Sequence, residues 1–439
     1  MTRVLDSATA DAPRAAVETP AKPTLADVMR QFGPAYRHQH GERLTVPQDR
    51  ALREIEICRT AALGGQVRCC DACGQTEAFY HACRNRHCPR CSVIPRRQWY
   101  QDRLAEVLPT PYFHLVFTLP DTISALALDN AVLIYHLLFT AASQALLCVG
   151  RAYTPLRAET GFIGVLHTWG QLLWVHVHLH VLWIGGGLAL DGSGWRSLPT
   201  GFSLPKKWLV EEFRERFLAG LQRAYDEGTL VLRGVHGHLF APHAFAAWMQ
   251  ALQAKTWNLH AEPVTRGHET DQTPREAAEQ TLAYLARYAC GVALSNHRLR
   301  AIDGDEVVFT YKDYRDHGRT KLARLDGREL LDRFLLHILP QGLRHIRHYG
   351  FLSQNQRTEK LPRIRALLGC AAADADDTET PPPDGAERGP DEEPAHRCRV
   401  CGVGTLILQA EWPRPTVAEI MRLSLQELRE LRQGRLPFT

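Results

Sequence analysis

Residues 174–184 read Trp174-Val175-His176-Val177-His178-Leu179-His180-Val181-Leu182-Trp183-Ile184, and Gly185-Gly186-Gly187 closes the run. A stretch rich in β-branched and aromatic residues and bounded by glycine predicts a strand. In a strand alternate side chains share a face, so His176, His178 and His180 point the same way. Three imidazoles on one buried face cost free energy unless something uses them. A divalent cation is the natural user.

Working outward, Tyr112–Leu119 ends at Pro120 and predicts a second strand, as do Gly161–His167 and residues 306–312. Residues 24–57, 131–149, 206–227 and 243–256 read as helices. The best-marked helix covers 274–290. Thr273 can cap it, Pro274 takes the first helical position and Glu276 completes a capping box. Ala278, Leu282, Leu285 and Ala289 form its apolar stripe. Tyr284 and Tyr288, four apart, stack on one neighbouring face. A tyrosine oxygen is able to attack a phosphodiester and hold the DNA end covalently. Tyr311 and Tyr314 are nearly as close together, so the pair alone does not identify a nucleophile.

Seven of the twelve cysteines fall in residues 58–91. Cys70 and Cys73 form one CxxC knuckle, and Cys88 and Cys91 form another. This spacing predicts a tetrahedral zinc site. Cys83, His87 and Cys69 are extra donors, either for a second site or in place of one of the four. Cys398 and Cys401, near His396, make half a site. Arg84, Arg86, Arg90, Arg96, Arg97 and Arg103 surround the cluster, with Trp99 and Tyr100 among them. Arginine interleaved with aromatics suits phosphate contacts and base stacking.

The chain has 439 residues, enough for two or three domains. Its 45% hydrophobic and 23% charged residues exclude wholesale disorder and fibrous designs. The net charge is +4. Residues 371–394 hold nine acids and one base, a charge of −8, so the other 415 residues carry +12. A basic body with an acidic insert predicts a polyanionic partner, nucleic acid first. Asn130–Gly150 lacks charge over 21 positions. His136, Ser143 and Gln144 within it favour a buried core helix over a membrane span. The first 23 residues contain acids and no apolar core, so a cytoplasmic protein with reduced cysteines is expected.

The motifs in order are CRNRHCPRC (83–91), HTWGQ (167–171), HVHLH (176–180), YLARYACGVALSNHRL (284–299), YKDYRDHG (311–318) and FLLHILPQGLRHIRHYGFL (334–352). From about Ala26 to Gly369 this series resembles the rolling-circle transposases of the insertion sequence 91 family, two-tyrosine members of the HUH single-strand endonucleases. The resemblance implies an α+β chain. It would have a ferredoxin-like core, an antiparallel sheet with helices on one face, and a small N-terminal zinc-binding domain. Residues 1–23 read as a disordered tail, and the resemblance implies a zinc-binding DNA-recognition domain over 24–108 and a catalytic domain over 109–369. An acidic proline-rich linker over 370–395 and a short CxxC segment over 396–439 complete the expected order.

By the same resemblance His178 and His180 match the metal-binding histidine pair, and Tyr284 and Tyr288 match the catalytic tyrosines. The family often has proline between the first two histidines, where this chain has Val177. His176 is therefore a third ligand or a support for the others, and His167 on the neighbouring strand is a rival third ligand. Structural Zn²⁺ and catalytic Mg²⁺ or Mn²⁺ are the implied metals. Single-stranded element ends and target DNA are the implied partners, with no membrane. Arg287, Lys312 and Arg315 are candidate phosphate contacts. Replication initiators and relaxases share such a site. A chain with an inactive core would be a zinc-dependent DNA-binding protein.

Overall fold

The computed structural model describes residues 22–104, 106–153, 155–199, 201–264, 276, 279–280, 282–283, 286, 289, 291–370, 397–424 and 427. Its centre is an antiparallel sheet. The strands are β3 (Tyr112–Thr118), β4 (Ala158–Trp169), β5 (Val175–Ala189), β6 (Trp195–Ser197), β7 (Asn258–Pro263) and β11 (Ile346–Gly350). The order is β11-β4-β5-β3-β7, with β6 added on β5. The three strands expected nearest the histidines are thus β3, β4 and β5.

Alternation divides the sheet into two faces. Val177, Leu179, Val181 and Trp183 of β5 join Phe113, Leu115 and Phe117 of β3 and Phe162 and Leu166 of β4 in one core. Four helices cover this face: α4 (Asp121–Leu126), α5 (Ala131–Cys148), α6 (Lys206–Asp226) and α7 (Pro242–Ala254). Each fully buried large side chain here contributes about 1.5–3 kcal/mol. The uncharged stretch is α5. It is long and apolar enough to cross a membrane by composition alone. Here, however, Ile134, Leu138, Phe139, Ala142 and Leu146 are wholly buried in the core, as the sequence predicts.

The opposite face carries the alternate residues: Tyr112, Ile163, Val165, Leu182 and Ile184. Phe351, Leu352, Leu361 and Ile364 cover one end of it, the last two from the helix Gln354–Leu368. Helices α4–α7 therefore fit the expected one-sided arrangement, and the helix 354–368 adds to the second side.

The N-terminal region does not form its own core. Helices α1 (Leu25–His40) and α2 (Val46–Glu56) share a cluster with Leu294, Leu299, Phe309, Leu330 and Phe334. These come from the meander β8 (Leu299–Asp303), β9 (Glu306–Asp313) and β10 (Arg319–Asp326) and the helix Gly327–Leu335. Arg37 of α1 and Glu56 of α2 form a buried ion pair at 2.6 Å. Tyr36 donates a hydrogen bond to Asp332 at 2.5 Å. The expected boundary at 108 thus cuts through one packed unit. Residues 294–335 lie far along the chain but complete the interior of α1 and α2.

A third sheet corrects the view of the tail as a separate segment. Strands β1 (Gly65–Cys70) and β2 (Thr76–Tyr80) form a hairpin, and β12 (Leu406–Trp412) pairs antiparallel with β1. Gly65 lies opposite Trp412, and Cys70 opposite Leu406.

Candidate active site

Strand register assembles the histidines. On β4 and β5, His167 lies opposite His178 and Val165 opposite His180. Directly opposed residues bring their Cβ atoms to about 5 Å. His180 follows His178 on the same face. As a result the ligand nitrogens of His167, His178 and His180 all lie within 4.8 Å of one another, and the three residues are buried. His176 is outside this trio. Four residues of strand separate it from His180, about 13 Å at ~3.3 Å per residue. Its ring stands 5.0 Å from that of His178, and its carbonyl accepts from His178 Nδ1 at 2.7 Å.

That hydrogen bond sets a tautomer. A carbonyl can only accept, so the proton sits on Nδ1 and the Nε2 lone pair of His178 is open. His180 Nδ1 lies 3.0 Å from His114 Nε2, with the rings stacked at 5.3 Å and 7°. His167 stacks on Trp169 at 4.3 Å and 20°. Burial first, and the neighbouring His167 second, push the pKa values of His178 and His180 well below the ordinary histidine value. Neutral His178 and His180, with a His167 ring nitrogen within 4.8 Å, are a good donor set for a divalent cation. His114 is a supporting residue that the sequence reading missed. Burial, then His260, holds its pKa down to about 4.

His337 lies beside this end of the sheet. Its Nε2 donates to Leu173 O at 2.9 Å, and its Nδ1 lies 3.2 Å from the Thr168 hydroxyl. Burial lowers its pKa to about 4. Because the folded value is depressed, this group's stabilising contribution is present above the unfolded value near 6.5 and is lost as pH falls towards 4. At pH 5 the loss is about 2 kcal/mol. Urea melts between pH 7 and 4.5 should therefore show a shallower pH slope for His337→Gln. An unchanged slope would refute the assignment.

Tyr284, Tyr288 and Arg287 lie outside the described residues. Leu282 lines a shallow cavity with Ile163, Leu182 and Ile184, and Ala289 belongs to the same apolar cluster. His345 Nε2 lies 3.0 Å from the Ala289 carbonyl oxygen. Leu282 and Ala289 thus pack on the histidine-bearing face. Tyr311 is half-buried on β9, and Tyr314 is exposed.

Of the candidate cations, Lys312 is exposed, and its backbone N–H donates to Gln171 Oε1 at 3.2 Å. Gln171 sits in the turn between β4 and β5, four residues past His167, so Lys312 stands at the histidine end of the sheet. Arg315 is exposed nearby. Arg84, Arg90 and Arg97 are exposed and Arg96 is half-buried. Arg86 donates to Leu343 O at 3.0 Å and Pro340 O at 3.5 Å, which ties the zinc-binding segment to the central domain.

Among the described residues eight cysteines form two clusters of four, so the single tetrahedron read from Cys70, Cys73, Cys88 and Cys91 is corrected. Cys88 and Cys91 join Cys58 and Cys83. Sulfur separations there are 3.4 Å for Cys83–Cys91, 3.6 Å for Cys58–Cys91 and 3.8 Å for Cys58–Cys88. Cys70 and Cys73 meet Cys398 and Cys401 instead. Cys83 is therefore a member of the first set. His87 is outside both: its Nε2 accepts from Leu339 N–H at 3.4 Å.

The family described as "Transposase zinc-binding domain" matches residues 28–119, and that described as "Putative transposase" matches residues 161–360. The chain is 43% identical over 359 residues to "Putative transposase y4qJ" of Sinorhizobium fredii, spanning 82% of this chain and 87% of the relative. It is 26% identical over 372 residues to the transposase for insertion sequence element IS801 of Pseudomonas savastanoi pv. phaseolicola, spanning 80% and 85%. No solved structure matches the chain.

Proposed function

This chain belongs to the insertion sequence 91 family of transposases, and from that membership we propose that it nicks and rejoins single-stranded DNA through a tyrosine. The observation that carries the reading is the trio His167, His178 and His180, on the sheet face where Leu282 and Ala289 pack. A divalent cation there, Mg²⁺ or Mn²⁺, would polarise a nonbridging phosphate oxygen and offset charge in the transition state. The three imidazoles would hold the ion, and water and phosphate oxygens would supply the hard ligands such ions require.

The protein's own groups do the rest. His114 and the His176 carbonyl orient the His180 and His178 rings. Lys312, Arg315 and Arg287 are the proposed phosphate contacts. The phenol oxygen of Tyr284 or Tyr288 bonds to phosphorus, and the phosphorus–O3′ bond breaks. The departing 3′ oxygen takes up a proton, while the phenol proton passes to solvent. The product is a 5′-phosphotyrosine and a free 3′-OH. Joining reverses these steps on a new 3′-OH, so no nucleotide triphosphate is consumed. Such work takes place on DNA in the cytoplasm, at the nucleoid.

The test is a labelled single-stranded element end incubated with protein and resolved on a denaturing gel. Protein-linked DNA should appear with Mg²⁺ or Mn²⁺ and vanish with EDTA. Binding without any nicking under both metals would reduce the chain to a zinc-dependent DNA-binding protein.

A further inference from the structure

The cluster of Cys70, Cys73, Cys398 and Cys401 joins two parts of the chain that the family matches do not connect. The zinc-binding match ends at residue 119 and the second match at 360. Cys398 and Cys401 lie beyond both.

Each half is a Cys-x-x-Cys-Gly turn of the same geometry. Gly74 N–H donates to Cys70 O at 3.0 Å, and Gly402 N–H to Cys398 O at 2.9 Å. The two glycines have φ of 69° and 68°, a conformation that favours glycine. The turns face each other. Cys70 Sγ is 3.7 Å from Cys401 Sγ, and Cys73 Sγ is 3.7 Å from Cys398 Sγ. A tetrahedral zinc with ~2.3 Å bonds sets its sulfurs about 3.8 Å apart, whereas a disulfide needs ~2.05 Å.

The seating is tight. A Cβ on Gly404 would fall 2.4 Å from Cys70 Sγ. Asp71 and Thr405 exchange two hydrogen bonds, Thr405 N–H to Asp71 Oδ1 at 2.8 Å and Asp71 N–H to Thr405 O at 3.1 Å. Apolar support is slight. Apart from cysteines the local cluster holds only Leu406 and Phe79. A core this small does not order a segment without a staple.

We propose that these four cysteines are a second structural zinc site, separate from Cys58, Cys83, Cys88 and Cys91. Its zinc fastens residues 397–412 to the β1–β2 hairpin. The site is a ribbon in which each end of the chain supplies one knuckle. This proposal is independent of the catalytic reading.

Zinc content after dialysis tests it, comparing wild type with Cys398→Ser/Cys401→Ser. The double variant should hold one zinc equivalent fewer per chain, and the difference is unaffected by any zinc at the histidines. Trypsin should also cut it after Arg397 and Arg399, within the fastened segment, at least tenfold faster. Equal zinc content in the two proteins would overturn the site. If the variant loses more than one equivalent by unfolding, Co²⁺ titration of wild-type apoprotein decides. Two equivalents of tetrathiolate absorption support the proposal, and one overturns it.

Discussion

His178→Ala/His180→Ala should lose nicking of single-stranded DNA by on the order of 10³-fold or more, because several kcal/mol of charge stabilisation leaves with the cation. Zinc in the cysteine clusters should stay at the wild-type level, which shows that the variant is folded. The single variants refine the picture. His167→Ala should be severe, because this ring belongs to the trio. His176→Ala should be mild, because His176 supports the site through its carbonyl and that group survives the substitution. Equal damage from the two, or metal-independent cleavage by the double variant, would refute the centre as drawn.

Tyr284→Phe/Tyr288→Phe should abolish the covalent protein–DNA adduct. Phenylalanine keeps the ring and removes only the nucleophilic oxygen, so the loss reports chemistry rather than packing. Two tyrosines four apart would share one face of the helix expected over 274–290, and one metal centre would then be able to serve both in turn. Each single variant should retain some nicking while losing the paired transfers that complete transposition. An adduct that survives the double substitution would move the nucleophile to Tyr311 or Tyr314. Loss in only one single variant would make this a one-tyrosine enzyme.

Much of the fold was legible because alternation in the strands is strong. The predicted strand 112–119 is β3, and 174–184 falls almost wholly within β5; helices 131–149 and 206–227 end within a residue of α5 and α6. Facing direction was also legible: His176, His178 and His180 do share a face. Which three histidines converge was not. Convergence depends on the β4–β5 register, which sets His167 against His178, and no pattern within one strand encodes its neighbour's register. Cys58 escaped notice because it stands alone, twelve residues before the first knuckle. Pairing each knuckle with the other depended on proximity in sequence, whereas the fold pairs Cys70 and Cys73 with cysteines more than 320 residues away.

The closing of β12 on β1 also sets a timetable for synthesis. Cys73 and Cys398 are 325 residues apart, which at roughly 5–20 residues per second is about 15–65 s of translation. Throughout that interval the nascent hairpin carries a β1 edge that β12 has yet to cover and two thiols without their partners. An open edge is a template for pairing with another chain. Ribosomes that stop before residue 398 release the hairpin in that state, so truncated products should aggregate where the full-length chain does not.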